Sequence, residues 1–224
     1  MKKIVACICA MVMLVSVTAV FATEEPAAET PPILISAPVE FAPSPWAAEE
    51  VIKAEEYGLL AGFENVNYQK NITRAEFAKL IVNCVTPALG LSAEELVGKN
   101  PSQFTDVEDV YVDAASLLGI VNGVGEGLFA PDKEITRQEI AVMMYRAINT
   151  VTILVEKETG VIPTDDLTGF TDAESVASWA KVGVATLATN GIMKGVSETE
   201  LSPLTNTSTE QAILLAARIF EVLK

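Results

Sequence analysis

The chain has 224 residues, carries 15 basic against 30 acidic side chains for a formal charge of −15, and contains no histidine. So acidic a chain is repelled at long range by nucleic acid and anionic membranes. The lack of histidine excludes the usual catalytic triads, most zinc sites and the commonest general base at neutral pH.

Residues 1–22 read as a secretory signal peptide. Met1-Lys2-Lys3 is basic, Ile4 to Val20 is apolar, and Val20-Phe21-Ala22 closes with modest side chains at the cleavage positions. The alternative is an uncleaved anchor, since the run is about long enough to span a bilayer. No cysteine follows the run at a lipoprotein-like position and no second long apolar run appears, so after cleavage no membrane contact is expected. Cys7 and Cys9 leave with the signal, and the remaining Cys84 has no disulfide partner, so packing must supply the stability. Residues 23–40, rich in Pro, Ala and Glu, read as a flexible leader.

The rest repeats one unit three times, over 41–86, 104–156 and 170–224. Each copy opens with an amphipathic segment of constant length, Trp46 to Gly62, Val107 to Gly123 and Trp179 to Gly195, with an inner glycine at Gly58, Gly119 and Gly191. A loop follows, fullest in the middle copy as Val124-Gly125-Glu126-Gly127-Leu128-Phe129-Ala130-Pro131-Asp132, reduced to Leu201-Ser202-Pro203 in the third copy and degenerate in the first. A second helix then starts at Thr73-Arg74-Ala75-Glu76, Thr136-Arg137-Gln138-Glu139 and Ser208-Thr209-Glu210-Gln211. Its apolar stripe runs Phe77, Leu80, Ile81, Cys84, then Ile140, Met143, Met144, Ala147, then Ala212, Leu215, Ala216, Ile219, the spacing of one buried helical face. The linkers are 87–103 and 157–169, and Thr150 to Glu156 reads as an extension of the preceding helix. The expected fold is mostly α, three helix–loop–helix repeats in which no hairpin can bury its apolar face alone.

Thr73 with Glu76, Thr136 with Glu139, and Ser208 with Gln211 fit the capping box, a structural role. Arg74 and Arg137 are cations at the positive end of a helix dipole, which calls for a partner. That partner is either a carboxylate within the fold or an anionic ligand held together with free N–H groups of the first turn. Thr209 takes the place in the third copy. Trp46 and Trp179 invite a sugar-stacking reading, the plainer one being that each plugs the space between helices. Val107 stands there in the second copy, with Tyr111 filling part of the gap. Cys84, on the stripe, reads as a small core residue. The acids at Asp106, Asp109 and Asp113, or Asp165, Asp166 and Asp172, lack EF-hand spacing and read as solvated groups and caps, so neither metal nor cofactor is expected.

The chain resembles three tandem S-layer homology domains over residues 41 to 224. The resemblance rests on Phe104-Thr105-Asp106, Phe170-Thr171-Asp172, Ser178-Trp179-Ala180, Leu118 to Gly123, Phe129-Ala130-Pro131 and the two Ile-Thr-Arg phrases. It implies a pseudo-threefold helical bundle, a three-pronged spindle. It also implies cell-surface anchoring to a secondary cell-wall polysaccharide, often one carrying a pyruvate ketal, bound in grooves between repeats. Carried over by position, the polymer-binding residues would be Arg74, Arg137, Trp46, Trp179, Gly123 and Gly195. Thr209 would leave at most two good grooves. The implied protein is non-catalytic, extracellular at the cell wall, and open to a surface-protein partner. The alternative is a degenerate module serving secreted protein–protein interaction or surface structure.

Overall fold

The computed structural model describes residues 41–101 and 104–224; the signal peptide and leader expected over 1–40 lie outside the described residues. Among the described residues there are seven α-helices and no strand: α1 Ala48–Glu56, α2 Arg74–Leu89, α3 Ala93–Val97, α4 Val110–Leu117, α5 Arg137–Val155, α6 Lys181–Thr189 and α7 Thr209–Leu223. The opening helix of each repeat is short because its inner glycine stops it. Gly58, Gly119 and Gly191 take φ of 74°, 68° and 71°, a left-handed turn that costs glycine little. The β-branched stretch after Thr150 continues α5 to Val155. In the first linker α2 runs on to Leu89 through Pro87, and α3 forms behind its own capping box, Ser92 with Glu95.

The two helices of a repeat are not each other's main partners. The short helix α4 packs on α2, α6 on α5, and α1 on α7, so each prong joins the opening helix of one repeat to the long helix of the repeat before it, and the first repeat closes on the third. The hairpin expected from sequence is thus split between neighbouring prongs. The long helices α2, α5 and α7 pack on one another and bury the whole apolar stripe, from Phe77 and Ile81 to Met144 and Ile219. Each such side chain contributes about 1.5–3 kcal/mol relative to an exposed one.

The residues just before the three long helices tie the axis together. The N–H of Ile72 donates to the Thr207 carbonyl (2.9 Å), that of Thr207 to Ile135 (3.1 Å), and that of Ile135 back to Ile72 (3.2 Å). All three side chains are fully buried. This closed ring of hydrogen bonds is the pseudo-threefold centre of the fold. The hydroxyl of Thr207, standing where the other copies have isoleucine, has no hydrogen-bond partner among the described residues.

Candidate functional site

Each long helix begins with its donors already engaged. Thr73, Thr136 and Ser208 cap the third N–H of their helices, and the Glu76, Glu139 and Gln211 side chains accept from the cap N–H groups. The first two N–H groups of α2 donate to Lys133 O (2.9 Å) and Pro131 O (3.1 Å), in the loop of the next repeat. Those of α5 reach Thr205 O and Pro203 O, and those of α7 reach Lys70 O and Tyr68 O. The degenerate first loop serves as well as the others because backbone carbonyls do the accepting. The first-turn N–H groups, expected to help the arginines hold an anionic ligand, are therefore already engaged at all three helices.

The arginines instead lie across the repeat boundary. Arg74 donates from Nε to Phe129 O (3.0 Å) and from Nη2 to Asn122 O (3.0 Å). Its Nη1 lies 4.0 Å from Glu139 Oε1. Arg137 repeats the pattern with Leu201 O (2.8 Å) and Lys194 O (2.7 Å), but makes no ion pair among the described residues. Both are only 7% exposed. Burial lowers the pKa of each, opposed by Glu139 for Arg74 and by Asp172 for Arg137, yet an arginine stays charged. Burial also pushes the Glu139 carboxyl up, but the Thr136 N–H and hydroxyl together with Lys133 outweigh it and hold Glu139 below its usual value. In the third copy the Thr209 hydroxyl donates to Lys70 O (3.0 Å) in the arginine's place.

A groove of about 350 Å³ opens beside Arg74, lined also by Asn122, Gly123, Glu139, Arg146 and Trp179. Three of the residues nominated from sequence therefore meet in one place, each from a different repeat: Arg74 from the first, Gly123 from the second, Trp179 from the third. The repeat relation puts Arg137, Gly195 and Trp46 in the equivalent places of the next interface. The segments leading to the two tryptophans are anchored alike, the Ala177 N–H on Gln138 and the Ser44 N–H on Glu210. Trp46 and Trp179 are 56% and 59% exposed. The expectation that they plug the space between helices is corrected, since both stand mostly outside the helix packing. At Gly183 of α6 an added Cβ would sit 3.2 Å from the Val142 Cα in α5.

The third interface has lost the same features together. Thr209 replaces the arginine, Val107 the tryptophan, and Asn83 the position of Arg146, and the Asn83 amide donates to Leu59 O and Ala61 O. Lys79 fills the space, donating to Gly62 O (3.1 Å) and lying over the rings of Phe63 and Tyr111. A Cβ on Gly62 would be 3.2 Å from the Tyr111 hydroxyl, so Tyr111 does occupy the gap left by the missing tryptophan.

Gly123 and Gly195 are needed by the loop itself. An added Cβ would fall 2.7 Å from Leu128 O at the first and 2.5 Å from Glu200 O at the second. Asp106, which is exposed, and the half-buried Asp172 also clamp the same loops. Asp106 accepts from the N–H groups of Phe129 and Ala130 (both 2.8 Å), and Asp172 from those of Leu201 and Ser202 (2.7 Å for the last). Ala130 and Ser202, both at positive φ, are held there by these bonds. Asp109 caps α4. Cys84 is buried, which pushes its thiol up and leaves it unreactive.

Sequence reasoning missed Arg146 and Arg218, which occupy matching positions seven residues after Glu139 and Gln211. Arg146 Nη1 reaches Ile120 O (3.4 Å) and Arg218 Nη1 reaches Ile192 O (3.3 Å). Their recurrence in two copies, with Asn83 in the third, was the available signal.

The S-layer homology domain model matches residues 42–78, 103–141 and 169–213. The chain is 34% identical over 71% of its length to the surface-layer 125 kDa protein of Lysinibacillus sphaericus, covering 13% of that protein. It is 32% identical over 68% of its length to a cellulosome-anchoring protein of Acetivibrio thermocellus, covering 33% of it. A third relative, the exoglucanase XynX of Acetivibrio thermocellus, is 30% identical over 70% of the chain, which covers 14% of the enzyme. The chain thus spans a third or less of each of these relatives.

Proposed function

Because the chain belongs to the S-layer homology domain family, we propose that it is a non-catalytic cell-surface anchoring module that binds a secondary cell-wall polysaccharide through the carboxylate of a pyruvate ketal. The reading rests on one observation: arginine, tryptophan and a glycine-pinned loop from three different repeats converge on a single groove. A guanidinium fork matches a carboxylate, and an exposed indole offers a flat apolar face to a sugar ring. In so acidic a chain an anionic polymer is held only by local cations fixed in place. Arg74, Trp179 and the loop at Gly123 line the first groove, and Arg137, Trp46 and the loop at Gly195 line the second. The third interface, filled by Lys79 and Tyr111, is closed to the polymer. Surface-layer and anchoring relatives support the extracellular wall as the site of action.

The test is co-sedimentation with purified cell walls. The chain should pellet with walls, the Trp46→Ala/Trp179→Ala variant should stay in solution, and walls stripped of pyruvate should lose their capacity. Undiminished binding to stripped walls would sink the pyruvate assignment, and full binding by the double variant would sink the grooves.

A further inference from the structure

The two grooves are built on the same positions but distribute their carboxylates differently. In the first, Glu139 lies beside Arg74 and also pairs with Lys133 at 3.0 Å. Arg146 faces no carboxylate among the described residues. It meets the Ile120 carbonyl, and its Nη2 stands 3.1 Å from the Asn122 amide, which accepts when its oxygen is turned to the guanidinium. In the second groove Gln211 stands in the place of Glu139, and Arg137 bonds to backbone carbonyls and makes no ion pair among the described residues, Asp172 acting on it from beyond ion-pair distance. The acid there has moved to the other arginine, where Glu50 lies 3.7 Å from Arg218 Nη2. Glu50 has no counterpart in the first groove because its equivalent is Gly183, where the close approach of α6 to α5 leaves little room for a side chain.

We propose that the two grooves seize the polymer's carboxylate with different arginines, Arg146 in the first and Arg137 in the second. This rests on the polymer-binding reading above. A guanidinium with a carboxylate already within 4 Å is partly neutralised and gains less from a second one. One bonded to neutral carbonyls and without an ion pair gains more. Arg74 and Arg218 then serve to hold the groove walls, each with an acid within 4.0 Å.

The chain has two tryptophans, one per groove, so each indole N–H resonance reports one site. The probe is a methyl hexopyranoside carrying a pyruvate ketal, with its neutral methyl ester as control. Both indoles of the wild-type chain should shift with the acid and neither with the ester. Arg146→Gln should weaken the Trp179 response about tenfold or more and leave that of Trp46 unchanged. Gln211→Glu, which keeps a capping box of the kind α5 already uses, should weaken the Trp46 response to a similar degree. Glu139→Gln added to Arg146→Gln should restore the Trp179 response by freeing Arg74. An unaltered Trp179 titration in Arg146→Gln, or no rescue by Glu139→Gln, overturns the assignment while leaving polymer binding intact. Silence of both indoles in the wild-type chain overturns the polymer reading itself, and this assignment with it.

Discussion

The guanidinium of Arg74 lies 4.8 Å over the ring of Phe129 while its Nε donates to that residue's own carbonyl at 3.0 Å. One side chain thus fastens the first repeat to the loop of the second through both the backbone and the ring. Arg74→Ala leaves two carbonyls short of a donor and removes the cation–π contact, for an expected loss of about 2–4 kcal/mol. Arg137→Ala should cost less by about 0.5–1 kcal/mol, because Leu201 offers no ring. Urea denaturation with unchanged slope is the measurement, and an equal or larger loss at Arg137 would contradict it.

Trp46 and Trp179 stand mostly in solvent. Replacing either with alanine should change folding stability by no more than about 0.5 kcal/mol, whereas removal of a buried tryptophan costs about 3–5 kcal/mol. Thermal unfolding of the two variants decides between these outcomes.

Thr207 carries its unpartnered hydroxyl at the axis. Thr207→Val keeps the shape and deletes the polar atom, and should stabilise the fold by about 1–2 kcal/mol. Destabilisation in urea would mean that the hydroxyl is satisfied in solution.

Asp106 is held below the usual carboxylate pKa of 3.8, chiefly by the N–H of Phe129; desolvation opposes this, and the Ala130 N–H and the Arg74 charge add to the lowering. A depressed folded-state pKa gives stability that is fully present above the unfolded value and is lost as pH falls through the folded one. Stability should therefore be level in this respect at neutral pH and decline below about pH 4. In Asp106→Asn that acid decline should be shallower. Unfolding midpoints measured from pH 7 down to pH 2 test the slope, and parallel curves for the two proteins would refute the assignment.

The capping boxes and stripes were legible in the sequence because both are local. A Ser or Thr caps the N–H three residues on, and an i, i+3, i+4, i+7 row faces one way whatever lies opposite. The exchange of partners between prongs was not legible, since α4 presents the same apolar residues whether it packs on α2 or on α5. The exposure of the tryptophans was hidden for a similar reason: it depends on how the neighbouring helices pack and not on the residues beside each indole. Thr209 and Val107 stood out singly as departures in two different copies. Only the structure shows that they face the same interface, so that one groove is lost rather than two being weakened.

The packing of α1 on α7 turns the chain into a loop without ends. An open solenoid can lose a terminal unit and keep the rest, but here removing any one unit breaks two prongs and strips residues from every groove. Three is therefore the smallest number that can stand, and unfolding should proceed in a single concerted step. The same closure makes the order of the units along the chain dispensable. A permuted chain, joined between residues 224 and 41 and cut in a linker, would rebuild the same three prongs.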